Sequence, residues 1–313
     1  MSITIGIDVG GTKIAAGAVS EDGEMLAYVR KPTPAQSSDA VVDVIAECID
    51  ELARSYEIEG IGIGAAGFVN SRRDSVIFAP NLAWRNEPLA ARVGYKTKRH
   101  VIVENDANAA AWAEFRFGAA KGTQSAAIVT VGTGIGGGII INNELIRGTN
   151  GFGAEIGHMR LVPDGRECGC GLHGCWEVYA SGNALVYEAK ERARNNPEEA
   201  TKLLELADGN VDDITGPMVT RVAEKGDPVG LACFEAIGSA IGVGLANLAA
   251  ALDPEIFVLA GGVCETGDLL LAPVRKSFDK HVTAPKYRPA IPITVATLGN
   301  DAGIIGAADL ARH

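Results

Sequence analysis

Aromatic side chains are scarce, at 5% of 313 residues. A protein that stacks single-stranded bases needs a platform of them, and this chain has little with which to build one. Positive charge is also in deficit: 28 lysines and arginines stand against 39 aspartates and glutamates, a net charge of −11 at pH 7. Nucleic acid is held largely by basic surfaces that release counterions, so no nucleic-acid partner is expected. The opening residues Met1-Ser2-Ile3-Thr4-Ile5-Gly6-Ile7-Asp8 carry neither the basic start nor the apolar stretch of a secretory signal. Long apolar runs are missing too. The longest uncharged one, residues 236–252, falls short of the ~20 residues of a membrane span and reads as a buried core helix. Its Gly238 and Gly242 then mark close helix packing, and no membrane partner is expected. Six cysteines do not make a disulfide scaffold in a chain this long. Cys168, Cys170 and Cys175 crowd one short segment, which points to a metal in a reducing, cytoplasmic setting.

Glycine is plentiful: 39 of 313 residues, against a usual ~7%. Its placement organises the chain. Residues 3–9 alternate apolar side chains as a strand does and meet Gly10-Gly11-Thr12-Lys13. An apolar run over 14–19 follows, then the turn Glu21-Asp22-Gly23-Glu24. Over 39–56, Val41, Val42, Ile45, Cys48, Ile49, Leu52 and Tyr56 recur at helical spacing, which predicts an amphipathic helix. Residues 61–64 and 101–103 read as buried strands and 107–115 as a helix. At residue 126 the opening pattern returns: strand 127–131, Gly132-Thr133-Gly134, strand 139–141, polar turn Asn142-Asn143-Glu144. Repetition of strand, glycine turn, strand and polar turn predicts a duplicated two-lobed α/β fold; two unrelated hairpins are the plainer alternative. Helices are further expected over 184–225, with a break at Asn195-Asn196-Pro197, over 231–252 and over 302–311, with a strand over 256–260. The expected division is a small α/β domain of residues 1–105 with 299–313, and a large one of 106–298 that holds the cysteines.

Three glycine turns follow apolar strands: Gly10-Gly11-Thr12, Gly132-Thr133-Gly134 and Gly261-Gly262. Glycine lets backbone N–H groups converge on a phosphate without a Cβ in the way. A P-loop is excluded, because Thr12 separates Lys13 from the last glycine. Gly132, Gly134 and Gly137 spell the dinucleotide fingerprint, but an isoleucine-rich strand follows where a helix is required. A nucleotide cleft remains the better reading of three such turns together. Asp8, at a strand end beside them, suits hydrated Mg²⁺, or else caps a nearby turn N–H.

His158 with Cys168, Cys170 and Cys175 offers the one-nitrogen, three-thiolate set of a tetrahedral Zn²⁺ site. Four protein ligands leave no place for a reacting water, so the role is structural. His173, between two of the cysteines, is a competing ligand. Asp106, where strand 101–103 gives way to helix, is either a general base or an N-cap. Glu155 and Glu177 flank the cysteine segment, as acceptors for sugar hydroxyls or as plain surface acids.

These segments together resemble the ROK family of sugar kinases, within the actin, hexokinase and heat-shock ATPase superfamily. The resemblance rests on Asp8-Val9-Gly10-Gly11-Thr12-Lys13, Gly64-Ala65-Ala66-Gly67, Glu104-Asn105-Asp106-Ala107-Asn108, Gly132-Thr133-Gly134, Leu259-Ala260-Gly261-Gly262 and the spacing His-x9-Cys-x-Cys-x4-Cys-x-Glu that begins at His158. Ala79-Pro80-Asn81-Leu82-Ala83-Trp84 looks most like the bacterial ATP-dependent glucokinases. The resemblance implies an actin/hexokinase-like (ribonuclease H-like) fold with a cleft between lobes. It implies ATP with Mg²⁺, structural Zn²⁺, glucose or a similar hexose as substrate, and a homodimer or homotetramer. Asp106 would be the base for the 6-hydroxyl, with Gly67, Asn105, Glu155, His158 and Glu177 on the other hydroxyls. Gly10, Gly11, Thr12, Lys13, Thr133 and Gly134 would take phosphates, and Gly261 and Gly262 the adenosine side. Other expectations within the family are a kinase for mannose, fructose or an N-acetylhexosamine, a polyphosphate-using kinase, or a sugar-responsive repressor. For the repressor, the first strand begins too early to leave room for a helix-turn-helix.

Overall fold

The structure, a computed structural model, describes residues 2–313. The first elements are β1 (Ile3–Val9), β2 (Lys13–Ser20), β3 (Met25–Pro32), α1 (Ser38–Ala53), β4 (Ile58–Ala65), β5 (Phe68–Val69), β6 (Val76–Phe78), β7 (Arg85–Glu87), α2 (Leu89–Thr97), β8 (Val101–Asn105) and α3 (Asp106–Arg116). Then come β9 (Ala126–Val131), β10 (Ile135–Ile141), β11 (Glu144–Leu145), α4 (Glu177–Ala180), α5 (Gly182–Asn195), α6 (Thr201–Leu206) and α7 (Gly216–Glu224). The chain ends with α8 (Pro228–Leu252), β12 (Ile256–Ala260), α9 (Asp268–His281), β13 (Ile293–Val295) and α10 (Ala302–Leu310).

One five-stranded sheet has the order β3-β2-β1-β4-β8 and the other β11-β10-β9-β12-β13. Rank for rank these are the same order, so the repeat seen around the two glycine turns is a duplication of the whole sheet. Backbone packing groups the chain into one unit of residues up to Ile128 with Gly137–Ala154 and Ala296–His313, and another of Val129–Gly136 with Glu155–Val295. This grouping differs from a boundary at residue 105, because α3 packs along α10 and stays with the first sheet.

In the first unit, β1 reads Ile5-Gly6-Ile7 and β4 reads Ile61-Gly62-Ile63. Alternate residues of a strand point to opposite faces. The four isoleucines are fully buried in one core with Val41, Ile45 and Ile49 of α1. Each such burial stabilises by roughly 1.5–3 kcal/mol. The glycines serve the other face: a Cβ on Gly6 would run into the Ile304 carbonyl, and one on Gly62 into that of Ala307. Helix α10 thereby lies directly on the strand backbone. The α1 positions predicted from spacing are the buried ones, and Ser37 caps the helix by accepting from Ala40 N–H at 3.3 Å. Tyr56 lies beyond the helix, which ends at Ala53.

In the second unit, α8 is long and apolar enough by composition to cross a membrane, but it packs on α9 as a core helix. The predicted tight packing is there: a Cβ at Gly238 would sit 2.7 Å from Pro273, and one at Gly242 2.6 Å from Ser277. Asp227 starts the helix by accepting from Val229 and Gly230 N–H at 3.0 and 3.3 Å.

Candidate active site

The first glycine turn joins β1 to β2, so the chain leaves it as a strand and not as a phosphate-binding helix. Gly10 N–H donates to the Lys13 carbonyl at 3.0 Å, and the Thr33 hydroxyl donates to the Gly10 carbonyl at 2.8 Å. These bonds fix the turn while Gly11 and Thr12 line an open polar cavity of about 790 Å³ with Gln36, Asn81 and Arg85. Asp8 sits just before the turn, beneath Gly303 at the start of α10. Burial pushes its carboxyl above the usual aspartate value, and the Lys13 ammonium only partly offsets this. A desolvated carboxylate in such a place is stabilised by a bound cation.

At the end of β8 the helix cap falls on Asn105 and not on Asp106. Asn105 is the N-cap of α3, its side-chain oxygen accepting from Asn108 N–H at 3.0 Å. Asp106 is the first helical residue, and its Oδ1 accepts from Ala107 N–H at 3.0 Å and from the Asn105 amide at 3.2 Å. The same Asn105 amide donates to the Gly67 carbonyl at 3.1 Å. Gly67 is demanded by its backbone: φ is +151°, and a Cβ would meet the Phe78 carbonyl. Gly67, Asn105 and Asp106 therefore form one cluster.

The second unit holds a second cluster. Glu155 and His158 lie on one short turn, with His158 N–H donating to the Glu155 carbonyl at 3.1 Å. Glu177 opens α4 and brings Oε1 to 3.5 Å from His158 Nδ1. Burial raises the Glu155 carboxyl above its usual value; His158 pulls it down, and the like charge of Glu177 pushes it up again. The ligand atoms of His158, Cys168, Cys170 and Cys175 all lie within 4.8 Å of one another. Cys170 and Cys175 sulfurs are 3.6 Å apart, and Cys168 Sγ is 3.7 Å from His158 Nδ1. Tetrahedral ligands ~2.0–2.3 Å from one ion are separated by edges of this size. His173 is exposed and stands outside the cluster. Cys168 also donates to Glu177 Oε1 at 2.9 Å, so the metal loop and Glu177 are in direct contact.

The Gly132-Thr133-Gly134 turn adjoins this cluster, since a Cβ on Gly134 would run into the Glu177 carboxylate. Gly132, Thr133 and Gly262 line a cavity of about 670 Å³. A Cβ at Gly132 or Gly262 would meet no atom within 4 Å, so the fold does not demand these glycines and they face open space. Gly261 is different: its φ is +94° and it lies against Val131 backbone, so it shapes the turn. Sequence reasoning missed Asn183, Pro217, Thr220, Arg221 and Glu265, which line the same cavity. The Ser181-Gly182-Asn183 cap, with Ser181 accepting from Ala184 N–H at 3.2 Å, was the signal available for the first of them.

The family model described as the ROK family matches residues 4–313. The chain belongs to the ROK family. This ROK protein is 50% identical over 313 residues to a glucokinase of Streptomyces coelicolor, a match covering 100% of this chain and 98% of that one. It is similar to a ROK family glucokinase from Streptomyces griseus, solved in complex with glucose and AMPPNP, with a TM-score of 0.86, 49% identity and 99% of each chain covered. The ROK hexokinase from Thermus thermophilus matches with a TM-score of 0.83 and 35% identity, over 99% of this chain and 98% of the other. The two-lobed α/β fold of ROK sugar kinases is thus the fold of this chain.

Proposed function

We propose that this ROK protein transfers the terminal phosphoryl group of ATP to the 6-hydroxyl of glucose, giving glucose 6-phosphate and ADP. The substrate pair is suggested by the glucose and AMPPNP of the similar Streptomyces griseus enzyme. Asp106 is the general base: it takes the hydroxyl proton as the sugar oxygen attacks the terminal phosphorus and the bond to ADP breaks. One observation supports that role above the others. Asn105 does the helix capping, so Asp106 is not the N-cap of α3. Its Oδ1 is oriented by two donors, and proximity chemistry depends on such orientation. Asn105, Glu155, His158 and Glu177 take the remaining hydroxyls, with the Gly67 backbone helping.

Gly10, Gly11, Thr12 and Lys13 with Thr133 and Gly134 receive the phosphates, and Gly262 the adenosine side, with Gly261 shaping its turn. Asp8 holds Mg²⁺, which when bound neutralises phosphate charge. His158, Cys168, Cys170 and Cys175 hold a structural Zn²⁺. His158 Nδ1 is the nitrogen facing the thiols, which leaves Nε2 to carry hydrogen and donate to a sugar hydroxyl. The protein works in the cytoplasm as a homodimer or homotetramer. Purified enzyme assayed on glucose, mannose, fructose and N-acetylhexosamines, with ATP and with polyphosphate, tests the reading. Glucose with ATP is expected to give the highest kcat/KM; a preference for another sugar or for polyphosphate overturns it.

A further inference from the structure

We infer that Glu104 is a positioning residue for phosphoryl transfer, its buried carboxylate holding the Asn105-Asp106 turn while paired with two guanidinium groups. Its side chain is 3% exposed, near the end of β8. Oε1 accepts from the Asn105 backbone N–H at 3.1 Å and from the Asn108 amide at 3.1 Å. Oε2 accepts from Arg147 Nε at 2.6 Å and lies 3.6 Å from Arg73 Nε. A buried carboxylate is costly unless paired and hydrogen-bonded, and this one is both. Its bonds reach the two residues that set Asn105: the peptide leading into it, and Asn108, whose N–H its side chain accepts. Asn105 in turn bridges Asp106 Oδ1 and the Gly67 carbonyl. Rotation of the Asn105 peptide would misdirect both.

Arg147 adds a second line of support. Its carbonyl accepts from Gly153 N–H at 2.8 Å and closes the loop that leads in sequence to Glu155. Phe152 of that loop packs on Phe68, the neighbour of Gly67, with ring centroids 5.0 Å apart. Arg73 is anchored separately: it donates to the Leu310 carbonyl at 2.9 Å, and its own carbonyl accepts from Val103 N–H at 2.8 Å. One carboxylate thus ties β8, the Asn105 cap and the loop before Glu155 to a common point. Glu104 touches no reacting atom; it acts through Asn105. The inference rests on Asp106 as base.

The test is a double-mutant cycle. Glu104→Gln keeps an oxygen for the Asn105 N–H but loses the charge facing the guanidiniums; Arg147→Lys keeps a positive charge but loses the Nε bond. Each is made alone and with Asp106→Asn, and kcat, glucose KM and thermal midpoint are measured for all. With Asp106 present, each variant is expected to lower kcat about tenfold while glucose KM rises no more than about threefold. In the Asp106→Asn background, the further loss is expected to be under about twofold, since the group being positioned is gone. Equal losses in both backgrounds, or no loss in either, overturn the positioning role while the base assignment stands. Wild-type turnover by Asp106→Asn overturns the base assignment and this inference with it. Should Glu104→Gln not fold, Arg147→Lys, altered at a side chain 25% exposed, decides the same question.

Discussion

In the first sheet, β1 carries Asp8 one residue before its end at Val9, β8 ends in Glu104-Asn105 with Asp106 next in the chain, and the small three-stranded sheet β5-β6-β7 lies between β4 and β8 in sequence. In the second sheet the same strand order carries different cargo. Its β9 has Thr130 where β1 has Asp8, counting back from the glycine turn, and the metal loop with α4 to α7 is inserted between β11 and α8. The two copies of the scaffold thus differ: the candidate base and candidate Mg²⁺ ligand are on one, the candidate metal ligands and the cavity lined by Gly132, Thr133 and Gly262 on the other. Duplication supplies strand ends and turns.

If the copies differ in this way, substitutions in them should fail differently. Asp106→Asn should lower kcat by ~10²–10⁴-fold while glucose binding, measured by calorimetry, is largely kept. Turnover near the wild-type rate would remove the base from the first copy. Cys170→Ser should lose zinc, measured by mass spectrometry, and weaken glucose binding by about tenfold or more, because the loop holds His158 and touches Glu177. Unchanged glucose affinity in metal-free protein would separate the loop from the sugar.

The smallest expected effect is on stability, and Asp8→Asn reads it. The Asp8 carboxyl is raised in the folded state by burial, so the folded protein binds more protons than the unfolded one between the ordinary value of 3.8 and the raised one. Stability is therefore lost as pH rises through that window. Asp8→Asn removes the loss: without Mg²⁺ its thermal midpoint should exceed the wild type's at pH 7, with the advantage shrinking towards pH 3.8. Its Mg²⁺-ATP turnover should nonetheless fall. An advantage independent of pH would contradict the burial argument.

Much of the scaffold was legible in the sequence because its signals are periodic or conformational. The stripe Val41, Val42, Ile45, Cys48, Ile49 and Leu52 names its own buried face, and the repeated glycine turns announce the duplication. Strand β3 was missed because its residues alternate between half-buried and exposed along a sheet edge and include Arg30 and Lys31. The small sheet β5-β6-β7 has strands of two and three residues, too short to show a period. Helix α9 carries Pro273 in its interior, a residue that ordinarily argues against a helix. Of the site, the His158 and cysteine set was readable from spacing alone. Whether Asp106 is the N-cap was not, since asparagine and aspartate both cap well and only the structure puts Asn105 in that place. Glu104 stood in a motif of the resemblance, but its ion pairs could not be read, because its partners Arg73 and Arg147 are distant in sequence.

The most direct test of the central claim is a crystal structure of the protein with glucose and a non-hydrolysable ATP analogue. The account predicts an Asp106 carboxylate oxygen at ~2.6–3.2 Å from the 6-hydroxyl, with that hydroxyl facing the terminal phosphorus. A carboxylate turned from the sugar and bonded only to Ala107 and Asn105 would contradict it.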